Sequence, residues 1–548
     1  MFLSYLAVFS FAYSFSSLSY LPSFGASLPV PEHILSTMKD ESPLRDQIQP
    51  PAMDLEEASE EARWERKGRE RPEKFQTTTQ EVGFIFAVVM AQLMSEFYVS
   101  GFIVLIPTLA KELDIPPEST TWPAGAFSLV VSTFLLPLGR LADMYGAYPV
   151  YVGGIVWTVV WSIVAGFSTN EIMLDVCRAL QGFGPAAFLP ASMALLGSIY
   201  RPGPRKNLVF SIYGAMAPLG FFAGIFFAGI SAQFANWRWY FWIGAIISAF
   251  SGLAGFLTIP SDTAERRAMN VKMDWLGTFT ISVGIILVVF ALTGSSGAPH
   301  EWATDYIIAT MVIGVVFLGI SVYVEGWVAE VPLLPPELFK IKYMKPLVLA
   351  LLLTYGGCGI YLLYATNYMS EIMNGTPMQL VAWWSPAAIG GCIIATVGGF
   401  VLHLLPGTIL IGIASVAWII APLLFALVPV GGQNFWPWVF PAMVCCTIGI
   451  DITFNVTNIF ITTSLPTRQQ GLAGALINSL LQLGIAVALG LADITVSQTA
   501  DQGVAQKYKN AFWLEVGLAG AALVVFLGLV KVDKAKSQAT ADEKMQQT

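Results

Sequence analysis

Fourteen long apolar runs are the feature that most constrains how this chain can fold. A helix needs about 20 mainly apolar residues to cross a membrane. The runs lie at 82–110, 122–142, 147–167, 172–198, 207–231, 237–258, 275–294, 304–328, 345–366, 380–402, 407–429, 436–462, 470–495 and 512–531. A transmembrane barrel would instead show alternating segments of about ten residues. The sequence therefore predicts an all-α membrane protein with 14 transmembrane helices.

The composition excludes several other classes of protein. Only 12% of the 548 residues are charged, and 55% are hydrophobic, whereas a soluble domain carries about 25% charged residues. The net charge of −8 gives no basic footprint for nucleic acid. The five cysteines show no C-x-x-C spacing, no His/Cys/Asp cluster has metal-ligand spacing, and no Walker-type loop occurs. We expect no cofactor, no metal and no enzymatic activity.

The distribution of lysine and arginine predicts the orientation in the membrane. Ten of these residues fall in loops on one side of the predicted spans and three in loops on the other. The richer side is predicted to be cytoplasmic, and the even number of spans places both termini there. Residues 1–81 form an N-terminal extension that is predicted to be largely disordered and cytoplasmic from about residue 31, and residues 532–548 form a cytoplasmic tail. The apolar stretch 1–25 leaves three interpretations: a signal peptide, an extra anchor or a gene-model artefact.

Glycosylation is one feature that the predicted orientation allows. Asn374-Gly375-Thr376 is an acceptor sequence in a predicted outer loop, so Asn374 is a candidate glycosylation site.

Charged residues inside a membrane are costly, about 2.5–3.5 kcal/mol each on insertion scales, so each one requires a reason. Glu96 lies near the middle of the first span, and Gln92 precedes it by one turn on the same face. Asp175 and Arg178 are three residues apart in the fourth span and are predicted to pair. The functional interpretation is a polar path with a protonatable carboxylate; the alternative is a set of neutral pairs that hold helices together.

The second half of the chain has a similar set of polar residues. Asp451 is central in the twelfth span and is followed at helical spacing by Asn455, while Asn478 and Gln482 share a face of the thirteenth. The same two interpretations apply to them. Asp493 and Glu515 lie near predicted outer helix ends, where an interfacial position is expected.

The segment Gly139-Arg140-Leu141-Ala142-Asp143-Met144-Tyr145-Gly146 stands at the end of the second span. It resembles the G-x-L-a-D-r-x-G-r-k loop signature of the major facilitator superfamily. Gly139 and Gly146 permit a tight turn, and Asp143 is predicted to accept hydrogen bonds from a helix N-terminus. The resemblance implies a latch between two bundles. The basic residues usual after the aspartate are replaced here by Met144, Ala147 and Tyr148.

Two further motifs carry the same resemblance. Arg178, with Gln181, Gly182 and Gly184, matches the R-x-x-Q-G-x-G-x-a motif of the family, which implies a part for Arg178 in proton coupling. The fifth span resembles the family's glycine and proline antiporter motif. Its members are Gly214, Pro218, Gly220 and Gly224. Small residues at four-residue spacing predict close helix crossing.

Together with the span count, these motifs resemble the fourteen-helix drug:proton antiporter branch, with fungal aminotriazole-resistance-like transporters as the closest type. The resemblance implies the major facilitator fold. The expected parts are an N-terminal six-helix bundle at 82–258, a linker region with two extra helices at 259–344, and a C-terminal six-helix bundle at 345–531.

The resemblance also implies a function. The expected activity is secondary active transport, with proton-coupled efflux of small organic compounds by alternating access. One alternative is a proton symporter or facilitator for a nutrient or small inorganic solute, and another is a non-transporting membrane sensor. The expected partners are a small-molecule substrate, protons and the lipid bilayer, with no nucleic acid. A monomer in the plasma membrane or the vacuolar membrane is predicted.

Overall fold

The computed structural model describes residues 69–116, 119–201, 204–401, 405–429, 434–464 and 470–532. The predictions for residues 1–68, Arg468 and the tail beyond residue 532 lie outside these ranges. All that follows refers to the described residues.

Fourteen long helices follow one another along the described chain. The first seven are α1 (Thr78–Glu112), α2 (Trp122–Tyr145), α3 (Ala147–Ala165), α4 (Glu171–Ile199), α5 (Pro204–Phe234), α6 (Arg238–Thr258) and α7 (Trp275–Gly294). The others are α8 (Asp305–Tyr323), α9 (Met344–Asn367), α10 (Pro377–Val401), α11 (Gly407–Leu427), α12 (Phe440–Ser464), α13 (Gln470–Ser497) and α14 (Val504–Leu529). A short helix, Thr263–Ala268, lies between α6 and α7.

The predicted membrane-spanning helices are present. Within the described ranges, 13 helices are long and apolar enough to cross a membrane. The other long helix, α10, coincides with the span predicted at 380–402. The protein is therefore an integral, multi-pass membrane protein of the all-α class. Below, the predicted inner end is the end of the bundle at which α1 begins, and the predicted outer end is the opposite one.

Polar caps and breakers set several helix starts. Thr77 caps α1 by accepting from the backbone N–H of Gln80, and Gln80 Oε1 accepts from the N–H of Gln76, which is a reciprocal capping arrangement. Asn170 caps α4, and Asp274 caps α7. Phe75, just before α1, is buried. The ordered bundle thus begins earlier than the boundary at residue 82 that the sequence predicts.

The helices pack as two six-helix bundles with related contacts. In the first bundle, α1 packs against α5 and α6, and α4 packs against α2 and α3. In the second bundle, α9 packs against α13 and α14. There, α11 packs against α12 and α14, and α10 packs against α12. The bundles meet along two helix pairs, α2 with α13 and α5 with α10. The extra helix α7 contacts α8, and it also contacts α2 of one bundle and α13 of the other.

Candidate functional site

Two carboxyl groups, one from each bundle, lie near the middle of their helices. Glu96 lies in the middle of α1 and Asp451 in the middle of α12, and both side chains are partly exposed. They are near enough for their charges to interact. Gln92 donates to Glu96 Oε1 at 3.4 Å, as the helical spacing predicts. A charge on both acids at once would be repulsive, so protonation of one of them would relieve that repulsion.

Asp451 is held by its own helix and faces a glycine. Thr447 Oγ1 donates to Asp451 Oδ2 at 2.7 Å, and Asn455 Nδ2 donates to the Asp451 backbone carbonyl at 2.8 Å. A Cβ on Gly391 of α10 would lie 3.1 Å from Asp451 Oδ2 and 3.0 Å from Pro218 Cβ. Gly391 therefore lets α5 and α12 approach α10 together. Gly391 is not among the residues predicted from the motifs, although the Gly390-Gly391 pair is present in the sequence.

Asn478 and Gln482, the other two polar residues predicted to line the path in the C-terminal bundle, both lie on α13. Asn478 Nδ2 donates to the backbone carbonyl of Gly474 at 2.9 Å. Gln482 is buried, and its Oε1 atom has no hydrogen-bond partner among the described residues. No hydrogen bond joins either side chain to Glu96 or Asp451 in the described part of the chain, so their place in the transport path stays a prediction.

Arg178 is buried without a carboxylate partner in the part of the chain that the structure describes. Its guanidinium donates to Gln181 Oε1 at 2.6 Å, to the Tyr98 carbonyl at 3.1 Å and to the Pro123 carbonyl at 3.2 Å. It also lies 4.0 Å from the ring centroid of Phe102. The predicted pair with Asp175 is not formed, because the long side chain turns toward α1 and α2. Asp175 Oδ1 is buried and has no hydrogen-bond partner within the described ranges.

A chain of hydrogen bonds extends from Arg178 through the N-terminal bundle. Gln181 Nε2 donates to Ser162 Oγ at 2.7 Å, and Ser162 Oγ donates to Tyr98 Oη at 2.9 Å. The Tyr98 and Ser248 hydroxyls are 3.3 Å apart. The network ties α1, α3, α4 and α6 together, so it fixes the position of Arg178 beside the contact between the bundles.

The glycines of the arginine motif allow α4 to approach its neighbours. A Cβ on Gly182 would lie 2.8 Å from the Phe127 carbonyl oxygen of α2, and one on Gly184 would lie 3.0 Å from the Gly154 carbonyl oxygen of α3. The first distance is too short for a real Cβ, and the second is tighter than most real Cβ contacts. Gly182 therefore allows α4 to pack closely on α2, and Gly184 allows it to pack closely on α3.

The antiporter-like motif of α5 divides into close-packed and open positions. A Cβ on Gly220 would lie 2.8 Å from Leu93 Cα, and one on Gly224 would lie 2.6 Å from the Phe97 carbonyl oxygen, both on α1. The predicted close crossing is present at these two glycines. At Gly214, by contrast, no described atom lies within 4 Å of such a Cβ. It takes no part in the crossing.

The loop signature at the end of α2 forms a contact different from the one predicted. Asp143 pairs with Arg266 at 3.1 Å, in the short helix after α6. Asp262, not Asp143, accepts from the backbone N–H groups of Ala147 and Tyr148 at the start of α3, at 2.9 and 3.1 Å. Gly146 has φ = +110°, which explains the need for glycine there.

Gly139 of the same signature lies against α4, where a Cβ would come 3.2 Å from Pro190 Cβ. The contacts of Asp262 and Arg266 could not be predicted locally, because these residues lie 115 and 123 positions along the chain from Ala147 and Asp143, which they bind.

An ion pair between the buried Glu81 and the partly exposed Arg205 lies at the predicted inner end of the N-terminal bundle. Arg205 Nε donates to Glu81 Oε1 at 2.8 Å, and the Tyr200 hydroxyl donates to the same oxygen at 3.0 Å. Burial, and then the Glu81 carboxylate, raises the pKa of the Tyr200 hydroxyl. Glu81 was placed in the disordered extension by the sequence analysis. It instead joins the starts of α1 and α5.

The bundles are closely joined toward the predicted outer end. Asp493 Oδ2 of α13 accepts from Thr121 Oγ1 at 2.9 Å and from Ser296 Oγ at 2.8 Å. These donors belong to the turn before α2 and to the turn just after α7. Next to Arg178, a cavity of about 10 Å³ lies between α1, α2 and α4 on one side and α9 and α13 on the other.

An aromatic contact crosses between the bundles at α5 and α10. The Phe221 ring is 5.9 Å from that of Trp384, which in turn is 5.9 Å from Tyr361 of α9. Trp384 is buried, and its Nε1 donates to Thr366 Oγ1 at 3.1 Å.

Asn374, the glycosylation candidate, is exposed in the turn between α9 and α10. Such a position leaves the asparagine accessible.

The sequence profile of the Major Facilitator Superfamily matches residues 88–489. The chain belongs to the major facilitator superfamily. This member of the superfamily is 34% identical to a low affinity ammonium transporter of Saccharomyces cerevisiae, over 81% of this chain and 87% of that protein. It is 31% identical to the efflux pump terJ of Aspergillus terreus, over 82% of this chain and 88% of that protein.

The predicted resemblance to fungal aminotriazole-resistance proteins is confirmed. The aminotriazole resistance protein of Saccharomyces cerevisiae is 29% identical over 83% of this chain and 85% of that protein. The fold is that of solved superfamily transporters. A crystal structure of the peptide transporter POT in complex with sulfate superposes with a TM-score of 0.59, at 17% identity, over 81% of this chain and 93% of that one. This superfamily member is therefore a membrane transporter and not an enzyme.

Proposed function

We propose that the protein exports small organic molecules in exchange for protons, by alternating access between two conformations. The observation that carries this proposal is the central pair of carboxyl groups, Glu96 and Asp451, one from each bundle and both partly exposed. A proton bound there relieves the repulsion between the two acids. Its release and uptake can therefore be coupled to the relative movement of the bundles.

The contacts at the predicted outer end support the assignment of this conformation. Asp493 binds hydroxyls from both the N-terminal bundle and the linker, and little space remains beside Arg178. We therefore assign the structure to the state that is closed to the outside, with Glu96 and Asp451 reached from the cytoplasm. The opposite state would expose the pair to the outer, proton-rich side.

The energy of one proton is enough for useful export. A charge that crosses 100 mV releases about 2.3 kcal/mol, which sustains a substrate gradient of roughly 40- to 50-fold. Efflux is favoured by the similarity to an efflux pump and to a resistance protein. A monomer with cytoplasmic termini, in the plasma or vacuolar membrane, and glycosylation of Asn374 form part of the same proposal.

A second candidate is proton-coupled or facilitated movement of a small inorganic solute. The similarity to a low affinity ammonium transporter favours it. Transport of ammonium and of a panel of amphipathic dyes by the reconstituted protein, with the pH gradient imposed in either direction, separates the two candidates. Accumulation of a dye driven by proton movement in the opposite direction supports efflux.

The roles of the two acids can be tested in proteoliposomes. Glu96→Gln and Asp451→Asn are each expected to lower accumulation driven by a pH gradient at least tenfold, because the amide cannot carry the proton. Substrate exchange without a pH gradient should continue. Asp305→Asn, an exposed position in the first turn of α8, is the matched control. Full coupling in both variants would contradict the assignment of these acids.

A further inference from the structure

Asp274 and Glu325 are two acids of the linker region that the proposed transport cycle does not use. Asp274 directly precedes α7, and Glu325 lies in the turn Val324–Val328 that follows α8, so both are at the predicted inner end. Only 9% of the Glu325 surface is exposed. A buried acid that lacks an ion pair is costly and requires an explanation.

The two carboxyl groups face each other beside Gly277. A Cβ on Gly277 would lie 2.5 Å from Glu325 Oε1 and would also overlap Asp274 Oδ2, so both oxygens occupy the space that a side chain at position 277 would fill. Neither oxygen has a hydrogen-bond donor among the described residues. The two groups are near enough to bond to each other when one of them carries a proton.

The other oxygen of each acid accepts a hydrogen bond from the backbone. The Gly277 N–H donates to Asp274 Oδ1 at 2.8 Å, and the Leu334 N–H donates to Glu325 Oε2 at 3.1 Å. Because the start of a helix favours a negative charge, Asp274 is the better place for the charge and Glu325 for the proton. Glu325 Oε1 then donates to Asp274 Oδ2, and all four carboxyl oxygens have a partner.

The nearby cations bind other groups in the part of the chain that the structure describes. Arg140 of α2 donates to the Pro332 carbonyl at 2.9 Å, and Lys272 pairs with Glu330 at 2.9 Å. If both acids were ionised, two like charges would therefore share one buried space. Along α7 there is no titratable side chain, and α13 carries only Asp493, at its opposite end. The titratable groups on the other surrounding elements are Lys272, Tyr323, Glu330, Arg140, Asp143 and Tyr145.

Three contacts hold the segment 329–334, here called the return segment, which leads from α8 back toward α9. The Glu325 carboxyl binds its last residue, and Lys272 and Arg140 bind two earlier ones. Leu333 of the return segment is buried. Because Arg140 belongs to the loop signature at the end of α2, the return segment joins the linker region to the N-terminal bundle.

We propose that Asp274 and Glu325 bind one proton between them, and that this proton holds the return segment against the N-terminal bundle. At low pH the neutral Glu325 donates to Asp274 and keeps Leu334 in place. At high pH the Glu325 O–H bond breaks, the proton passes to water, and the two carboxylates repel each other. Glu325 then turns away and the return segment is released. This proton site is separate from the proposed transport path and does not depend on the direction of transport.

A cysteine in the return segment reports whether the segment is held. Leu333→Cys is made in a chain whose five cysteines are replaced, and its rate of reaction with a hydrophilic thiol reagent is measured in detergent. Division by the rate for Arg267→Cys, at an exposed position, cancels the pH dependence of the thiol itself. Between about pH 6 and about pH 8 the ratio should rise roughly tenfold, because loss of the proton favours the released segment.

Two matched substitutions test the origin of this rise. In E325Q the amide donates to Asp274 at every pH, so the ratio should stay low throughout. E330Q makes the same change at an exposed acid of the return segment and should keep the rise. An equal rise with and without E325Q would overturn the inference, and so would a ratio that does not depend on pH in the chain without E325Q.

The infrared spectrum of the full-length protein with its own cysteines provides a readout that does not depend on labelling or on transport. At about pH 6, the band of protonated carboxyl groups should be weaker in E325Q than in the unsubstituted protein and in E330Q. Equal bands in all three proteins would overturn the assignment of the proton to Glu325.

Discussion

Arg178 shows how a membrane-embedded guanidinium can be satisfied without an acid among the described residues. Two backbone carbonyls and the Gln181 amide accept its hydrogen bonds, and the Phe102 and Phe127 rings lie 4.0 and 4.3 Å from it. Aromatic faces stabilise a cation by their quadrupole. The positive charge thus remains next to the contact between the bundles, where a moving helix would change its surroundings.

Arg178→Lys should destabilise the protein although the charge is kept. A lysine ammonium cannot reproduce the planar fork that reaches three acceptors on different helices. Loss of one hydrogen bond to a charged group costs about 1.5–3 kcal/mol, so the melting temperature in detergent should fall by several degrees. Arg267→Lys, at an exposed position of the short helix, is the control. An equal melting temperature in the two variants would contradict the role given to the network.

At the residue scale, helical spacing predicts only local pairs. It gives the contact of Gln92 with Glu96 and of Asn455 with the Asp451 backbone correctly. It fails for Asp175 and Arg178, because Arg178 donates to Gln181 of its own helix and to backbone carbonyls of α1 and α2. Likewise, no local pattern indicates that Glu515 is buried, since its burial depends on α9.

The crossing of α1 and α5 shows how much of an element's packing a motif can encode. Gly220 and Gly224 are four residues apart and share a face, and both contact α1. Gly214 is six residues before Gly220, which rotates it by about 240° at 100° per residue. The motif therefore predicts the crossing. Only the angular position of each glycine around the helix shows that Gly220 and Gly224 make the contact and that Gly214 does not.

Gly224→Ala and Gly214→Ala should have opposite effects on stability. The added methyl at position 224 meets the Phe97 carbonyl oxygen at 2.6 Å, and such overpacking costs about 1–3 kcal/mol. At position 214 the methyl meets open space, and alanine stabilises a helix by about 0.5–1 kcal/mol relative to glycine. Melting curves of the two purified variants test this. A melting temperature for Gly224→Ala that equals the unsubstituted value would show that α1 and α5 separate more easily than the packing implies.

At the scale of the whole molecule, the sequence predicts the spans far better than the way they assemble. Apolar length is a local property, so the fourteen spans and the two bundles follow from it together with the motifs. The contact of Asp493 with Thr121 joins residues 372 positions apart. Nothing in the sequence of either segment indicates this contact, and Asp493 was therefore assigned to the interface.

Asp493→Ala should open the contact at the predicted outer end. Two hydroxyl groups lose a charged acceptor, and a change of about 1.4 kcal/mol shifts a conformational equilibrium tenfold. Val381 is buried against Gly229 between α10 and α5. Val381→Cys, in a chain whose five cysteines are replaced, should react roughly tenfold faster with an impermeant thiol reagent added outside when Asp493→Ala is present. Asp305→Ala is the control.

The same labelling experiment tests the predicted orientation. Faster reaction is expected only for reagent added outside intact cells. Acceleration confined to reagent on the cytoplasmic side would contradict the assignment of the two ends.

The helix α7 touches α2 and α13 at once, and Ser296 at its end binds Asp493. When the two bundles separate there, α7 must slide along at least one of them. Gly490 of α13 has no side chain to obstruct that movement, whereas a methyl group at this position would come within 2.9 Å of Leu292 Cβ on α7. In the proposed export cycle, α7 forms a third side of the interface between the bundles, and opening toward the outside requires that its contacts with one of them break.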